Sequence, residues 1–318
     1  MSDSSHLYIP FASCLAPGCG EALRTTPLPN LGKLLSRLRQ AGRVTGEENS
    51  LSTPLERVLA TALGMPAEDG RIAFAALDAL REGLTAGNDA WAWITPCHWR
   101  VGTDFVAMDV VNDLALDEDG SRTMLDAMRP YFEEDGIALH YRSPTRWLAR
   151  GEIFHALPTA SLDRVEGRVI DNWLPRTAGA ATLRRLQQEM QMLLYTHPVN
   201  DERIARGLLP VTSFWVSDAG ALPADFTAAP QTPPRVADAL REPALHEDWA
   251  AWSAAWRELD ASECGRLLDK MQSGAPIQLT LGGERDAQTW TSEGSGGLMR
   301  RLGGMIAPVK TALLLESL

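Results

Sequence analysis

Apolar positions along this chain recur at two spacings, and the switch between them is sharpest over residues 183–223. Leu183, Leu186, Met190, Leu193 and Leu194 fall at helical intervals, with Arg184, Arg185, Gln188 and Gln191 on the other side. Pro198 stops that helix. Asn200, Asp201 and Glu202 can cap and charge the first turn of a second, short helix, and Gly207 can end it in a left-handed conformation. Val211–Val216 then reads as a strand rich in β-branched and aromatic residues. Asp218, Ala219 and Gly220 turn the chain into a loop of the kind that carries the site in an α/β sheet.

The rest of the pattern is read the same way. Leu7–Ala12 predicts a first strand ending near Pro10, and Cys14–Thr26 a loop bearing Gly and Pro. Leu31, Leu34, Leu35 and Leu38 make one face of a helix that Asn30 can cap, and residues 41–50 read as a loop. Thr53-Pro54-Leu55-Glu56 is a capping box with Pro at the first helical position, opening a helix that ends at Gly64. Trp91–Trp99 and Asp104–Val111 predict two strands around a Gly102 turn. A helix through Met124, Met128, Tyr131 and Phe132 leads to a strand at Ile137–Tyr141. Leu245, Trp249, Trp252, Trp256 and Leu259 form a helical core stripe, and Ile277–Leu281 is the last strand. Met299–Leu318 reads as a final helix interrupted at Gly303, Gly304 and Pro308.

Alternation of strands with helices predicts an α/β fold, a mostly parallel sheet sandwiched by helices. The expected organisation is a single domain over residues 1–318, with a subdomain or insertion around 85–175. The length of 318 residues suits that plan, and 45% hydrophobic with 22% charged residues is ordinary globular composition. A net charge of −11 argues against general nucleic-acid binding and against an anionic membrane surface. The absence of a signal-like N-terminus, of a long apolar run and of any cysteine framework leads to the expectation of a cytoplasmic protein with four free thiols, Cys14, Cys19, Cys97 and Cys264.

Chemistry-bearing motifs are sparse. Ser52 or Thr53 could accept a phosphoryl group at a helix N-terminus, but the capping grammar explains both. Cys97-His98 has no second ligand pair nearby. The six histidines are never closer than fifteen residues apart, and no HxH, HExxH or Asp-His occurs. There is no GxSxG elbow, no dinucleotide fingerprint, and no Lys-Ser/Thr after the GSGG at 294–297. The best basic cluster is Arg142, Arg146, Arg150, Arg164 and Arg168, interleaved with Tyr141, Trp147 and Phe154. It could hold a phosphorylated ligand through forked hydrogen bonds, while a solvated face with buried stems is the simpler account.

The segment THPVNDERIARGLLPVTSFWVSDAG, residues 196–220, resembles a stretch of the archaeal-type cofactor-independent phosphoglycerate mutases. PLPNLGKLL, residues 27–35, resembles the Pro-Asn-Leu helix of the wider alkaline-phosphatase superfamily. The whole chain is similar to the bacterial group described as RpfE-type regulatory proteins. The resemblance implies an alkaline-phosphatase-like sheet in reduced form, two divalent metals, a phosphoryl-carrying serine and phosphoglycerate as substrate. His197, Pro198, Asn200, Arg203 and Gly207 match its motif. The chain departs from it after the first strand, where Pro10-Phe11-Ala12-Ser13 stands in place of a metal-binding Asp-Gly, and it lacks Asp-Gly-Asp and Asp-His.

The resulting expectation is a phosphoglycerate-mutase-like protein without a recognisable two-metal centre. It would be a non-catalytic binding or regulatory protein needing no cofactor, with a protein partner or a small phosphorylated ligand. Its ligand-binding candidates are His197, Asn200, Arg203, Asp218, Arg142 and Arg146. The alternative is an active phosphomutase or phosphatase using Mn or Zn.

Overall fold

The computed structural model describes residues 6–84, 88–177, 180–227, 232–293 and 310–318. The GSGG segment and the interruptions expected at Gly303, Gly304 and Pro308 lie outside those residues. Contacts divide the chain into two compact units. The first comprises Met1–Glu48, Thr53–Leu63 and Ala229–Leu318, and the second Asn49–Ser52 and Gly64–Ala228. The expected insertion around 85–175 lies within the second.

In chain order the first unit begins with β1 (His6–Ile9), α1 (Pro17–Thr25), α2 (Pro29–Arg37), β2 (Arg39–Val44) and α3 (Pro54–Leu63). The second unit follows with α4 (Phe74–Arg81), β3 (Trp91–Cys97), β4 (Trp99–Val101), β5 (Val106–Met108), α5 (Glu118–Glu134), β6 (Ala138–Ser143) and β7 (Arg146–Arg150). It ends with α6 (Leu162–Val165), β8 (Arg168–Val169), α7 (Ala181–Tyr195), α8 (Pro198–Ala205) and β9 (Ser213–Gly220). The chain then returns to the first unit for β10 (Arg235–Val236), α9 (Arg241–Leu245), α10 (Trp249–Leu259), α11 (Gly265–Gln272), β11 (Gln278–Gly282), β12 (Ala287–Thr291) and α12 (Thr311–Glu316).

The first unit is built on a five-stranded sheet of order β10-β1-β11-β12-β2. β1 pairs in parallel with β10 and β11, whereas β11–β12 and β12–β2 are antiparallel. Parallel strand pairing, expected to dominate, is confined among the described strands to this β10-β1-β11 group. The cause is the short return from β11 to β12, which a hairpin can close and a parallel crossover cannot. Leu7, Tyr8 and Ile9 are buried. Gly282 sits so close to the Tyr8 hydroxyl that a Cβ there would overlap it at 2.1 Å, which explains the glycine at the end of β11.

Several predicted elements shift. The expected Cys14–Thr26 loop contains α1, which starts on Pro17 and buries Cys19, Ala22 and Leu23 against α10 and α12. The expected 41–50 loop is preceded and partly replaced by β2, an exposed strand held by pairing with β12. The single tryptophan helix is two, because Glu247 adopts a left-handed φ of 52° between α9 and α10. Asp248 caps the second helix by accepting from the Ala251 amide at 2.9 Å. Trp252 and Trp256 are fully buried in edge-on contact, 6.2 Å between ring centroids, and the Trp252 indole donates to the Phe11 carbonyl at 3.0 Å.

Asn30 does not cap α2. Leu28 occupies the cap position and contributes no side-chain bond, so the α2 amides need another acceptor. Asp260 supplies it from a π-helical turn after α10: its carboxylate accepts from the Asn30 amide at 3.1 Å and the Leu31 amide at 2.7 Å. The capping box, by contrast, forms as predicted. The Glu56 carboxylate accepts from the Thr53 amide at 2.6 Å, and the Thr53 hydroxyl accepts from the Glu56 amide at 3.3 Å.

The second unit holds a four-stranded antiparallel sheet of order β6-β7-β3-β9 and a small three-stranded sheet, β4-β5-β8. One face of the larger sheet carries Ala92, Ile94, Leu139, Trp147, Phe214 and Val216. It packs with Met124, Leu125, Met128 and Phe132 of α5 and Leu186, Met190 and Leu194 of α7. Helix α4, which sequence patterning leaves unassigned, packs on β3 and β9.

Replacing Asp260 with Ala should lower stability by roughly 1–3 kcal/mol, because two helix-start amides in a buried position lose their acceptor. Urea unfolding measures it. A loss below about 0.5 kcal/mol, the size of an ordinary surface substitution, would refute this capping role.

Candidate functional site

The six residues singled out by sequence separate into two groups. Asp218, Arg142 and Arg146 belong to the larger sheet of the second unit. His197, Asn200 and Arg203 belong to α8 and its N-cap.

The α8 group is consumed by structure. His197, rather than the acidic residues after it, is the N-cap residue, and its Nδ1 accepts from the Val199 amide at 3.3 Å. Asn200 is 3% exposed. Its Nδ2 donates to the carbonyls of Leu194 and Val211 at 2.8 and 2.7 Å, and its Oδ1 accepts from the Val211 amide at 2.9 Å. Arg203 is buried too, donating to the carbonyls of Leu209 and Leu114. Gly207 takes a left-handed φ of 73°, as expected for the residue ending this helix. Together these residues seal the α7–α8–β9 connection through hydrogen bonds to main-chain groups.

The other group forms a polar and aromatic face. Cross-strand pairing sets His140, Leu148, Trp93 and Ser217 in one row across β6, β7, β3 and β9. Alternation puts Trp91, Arg146 and Arg150 on the same face, opposite the apolar core. The Arg146 guanidinium lies over the Trp93 ring, 4.0 Å from its centroid. Trp91 meets His140 at 5.5 Å between centroids. Arg142 is the extra residue where β6 slips against β7 between Tyr141 and Ser143, and its Nε meets Glu82 at 2.5 Å. Arg150 makes a looser contact with Asp89 at 3.8 Å.

β9 does not end at Val216, as its apolar run suggests. It continues to Gly220, and its register against β3 slips where Trp91–Trp93 face Ser217–Gly220. Asp218 occupies that irregularity with a φ of 56°, which aspartate tolerates better than most residues. Its carboxylate accepts from the Ser217 hydroxyl at 2.6 Å. Burial pushes the Asp218 carboxyl above its ordinary value, helped by Asp78 and Asp163; the Ser217 hydrogen bond and Arg146 work against it. His140 is held below its ordinary value, first by burial and then by Arg142, Arg150 and Arg129.

Two features of this face distinguish it from ordinary surface. The indole N–H groups of Trp91 and Trp93 are buried without an acceptor among the described residues. Arg146 is exposed, and its guanidinium has no carboxylate partner among them. Sequence reading named Arg142, Arg146 and Asp218 but missed Trp91, Trp93, His140 and Ser217. The usable signal was the Trp-Ala-Trp alternation, which puts both indoles on one side of a strand.

The remaining candidates are structural. The Ser52 hydroxyl accepts from the Gly70 amide at 2.8 Å. His98 donates through Nδ1 to the Pro210 carbonyl at 2.8 Å, and Cys97 beside it is buried. Arg164 is buried and donates to the Ser52 carbonyl at 3.3 Å. Among the described residues no three His, Cys, Asp or Glu side chains converge as metal ligands. The described residues therefore offer no cluster that would hold a two-metal centre.

No family model matches the chain, and no curated protein does. Among solved structures it aligns with the cofactor-independent phosphoglycerate mutase from Thermoplasma acidophilum DSM 1728, at 14% identity over 98% of each chain with a TM-score of 0.37. It also aligns with the PH0037 protein from Pyrococcus horikoshii, at 12% identity over 98% of this chain and 97% of that one, with a TM-score of 0.45. Both superpositions are loose, and what those proteins do is a property of theirs.

Asp218 gives this face a pH signature. A carboxyl whose folded value is raised contributes stability that is complete below its unfolded value, about 4, and lost as pH rises through the folded value. Asp218→Asn keeps the left-handed backbone and cannot ionise. Its advantage in urea midpoint over the native chain should therefore grow from pH 4 upward; a difference that stays flat with pH would contradict the raised value.

Proposed function

We propose that this chain is a binding or regulatory protein for a small phosphorylated ligand, working without a two-metal centre, and that the ligand docks on the β6-β7-β3-β9 face. The observation that carries this reading is Arg146: it is exposed, its planar fork is oriented by the Trp93 ring, and it is held in no direct ion pair among the described residues. A guanidinium held in that way is pre-organised for two parallel hydrogen bonds to a phosphate.

The neighbouring groups support the same chemistry. Arg142 and Arg150 are spaced along the adjoining strands, and their carboxylate contacts at Glu82 and Asp89 can be exchanged for a more highly charged anion. A neutral His140 can accept or donate one hydrogen bond without adding charge. The Ser217 hydroxyl is committed to Asp218, which fits holding a ligand better than attacking it.

Titration calorimetry with 3-phosphoglycerate, against glycerate as the control lacking phosphate, tests the reading. Phosphate-dependent binding is expected. Arg146→Ala should weaken it by roughly 10- to 100-fold, the range of one charged hydrogen-bond pair at about 1.5–3 kcal/mol. Equal binding by the variant, or none by the native chain, would sink this site. Stoichiometric Mn or Zn in the purified protein, together with mutase turnover abolished by a chelator, would overturn the metal-free, non-catalytic reading instead.

A further inference from the structure

The loop between β1 and α1 brings two cysteines together in the first unit, independently of the face described above. Cys14 is half-buried and Cys19 fully buried. The Cys14 amide donates to the Cys19 Sγ at 3.1 Å, and the side chains of Cys14 and Ser13 hydrogen-bond to the same sulfur. Cys19 lies in the first turn of α1, whose partial positive end adds to those donors. The loop is anchored on both sides of the pair. The Phe11 carbonyl accepts from Trp252, and the Leu15 amide donates to Glu284 at 2.6 Å.

We propose that Cys14 and Cys19 are a redox-active thiol pair, in which a low-molecular-weight disulfide enters at Cys14 and the Cys19 thiolate resolves it into a Cys14–Cys19 bond. The division of labour follows from access and charge. Cys14 is the less buried residue of the pair, the side from which an external reagent would enter. Cys19 is shielded, but its sulfur is surrounded by donors that favour the thiolate, and the balance holds its thiol below the ordinary value despite burial and the opposing charge of Glu284.

The chemistry balances in two exchanges. Cys14 gives up its proton and attacks the reagent disulfide, forming a mixed disulfide and releasing one reagent thiol. The Cys19 thiolate then attacks the Cys14 sulfur, forming the protein disulfide and expelling the second reagent thiol, which carries away the other proton. Two protein thiols are oxidised and one reagent disulfide is reduced to two thiols. The Cys14 amide already touches the Cys19 sulfur, which keeps the two residues within the reach a disulfide requires. Burial pushes the Cys97 and Cys264 thiols up, so they lack the thiolate that exchange requires.

The test uses the full chain, reduced and freed of reductant, then exposed to glutathione disulfide at neutral pH without denaturant. Remaining thiols are alkylated, and the tryptic peptide ending at Arg24, which carries both cysteines, is weighed. It should carry neither alkyl group and weigh two hydrogens less than the reduced, unalkylated peptide, while Cys97 and Cys264 stay alkylated. Cys19→Ser should trap the glutathione adduct on Cys14, and Cys14→Ser should leave Cys19 alkylated and unbridged. If Cys19→Ser does not fold, the native peptide and Cys14→Ser still decide. The proposal falls if the native peptide keeps both alkyl groups, or if Cys14→Ser oxidises at Cys19 as fast as the native chain.

Discussion

The second unit depends on the pairing of β3 with β7 on one side and β9 on the other. All seven residues of Trp91–Cys97 are buried, so neither face of this strand is available to water. One face, with Ala92 and Ile94, closes the core beneath α5 and α7. The other, with Trp91 and Trp93, is the base on which the arginines and Asp218 are arranged. A one-residue slip would exchange these faces, placing small residues under the arginines and indoles in the helix-packed core. Core packing therefore enforces the register that assembles the candidate site.

What could be read from sequence follows how local each element's support is. The α7–α8–β9 stretch was legible because Leu186, Met190 and Leu194 mark a face, Pro198 a stop and Gly207 an end, all within a few residues. The capping box at Thr53–Glu56 was legible for the same reason. β2 was not, since Arg-Gln-Ala-Gly-Arg-Val carries no alternation and is a strand only through long-range pairing with β12. α1 was hidden by its own Pro and Gly, whose low propensity is overridden by burial of Cys19, Ala22 and Leu23. The acceptor for the start of α2 was equally out of reach, because Asp260 lies some 230 residues further along the chain.

The candidate site was half legible. A local cluster of arginines pointed to Arg142 and Arg146, and the structure sets both on one sheet because β6 and β7 are neighbours in sequence and in space. The motif at 196–220 drew attention to α8 and to the end of β9, which sit in different surroundings. Asn200 and Arg203 have their polar atoms satisfied by backbone, which makes them parts of a joint. Asp218 is held in a left-handed bulge beside Trp93 and Arg146, where its carboxyl is costly to ionise. Sequence shows residue types, but only the hydrogen-bond accounting separates a group that is spent from one that is available.

That accounting also bears on catalysis. Two-metal phosphoryl transfer needs several carboxylates and imidazoles converging on strand ends, with a hydroxyl free to attack. Here Glu82 is engaged with Arg142, Asp89 approaches Arg150, and the Ser217 hydroxyl is turned onto Asp218. The carboxylates of the face thus balance arginines, and the hydroxyl balances a carboxylate. After β1, where the resemblance expects a metal-binding Asp-Gly, the chain has Pro10-Phe11-Ala12-Ser13, with the Phe11 carbonyl bound by Trp252 and Ser13 turned toward Cys19. In both regions the polar groups named are engaged with one another or with main chain.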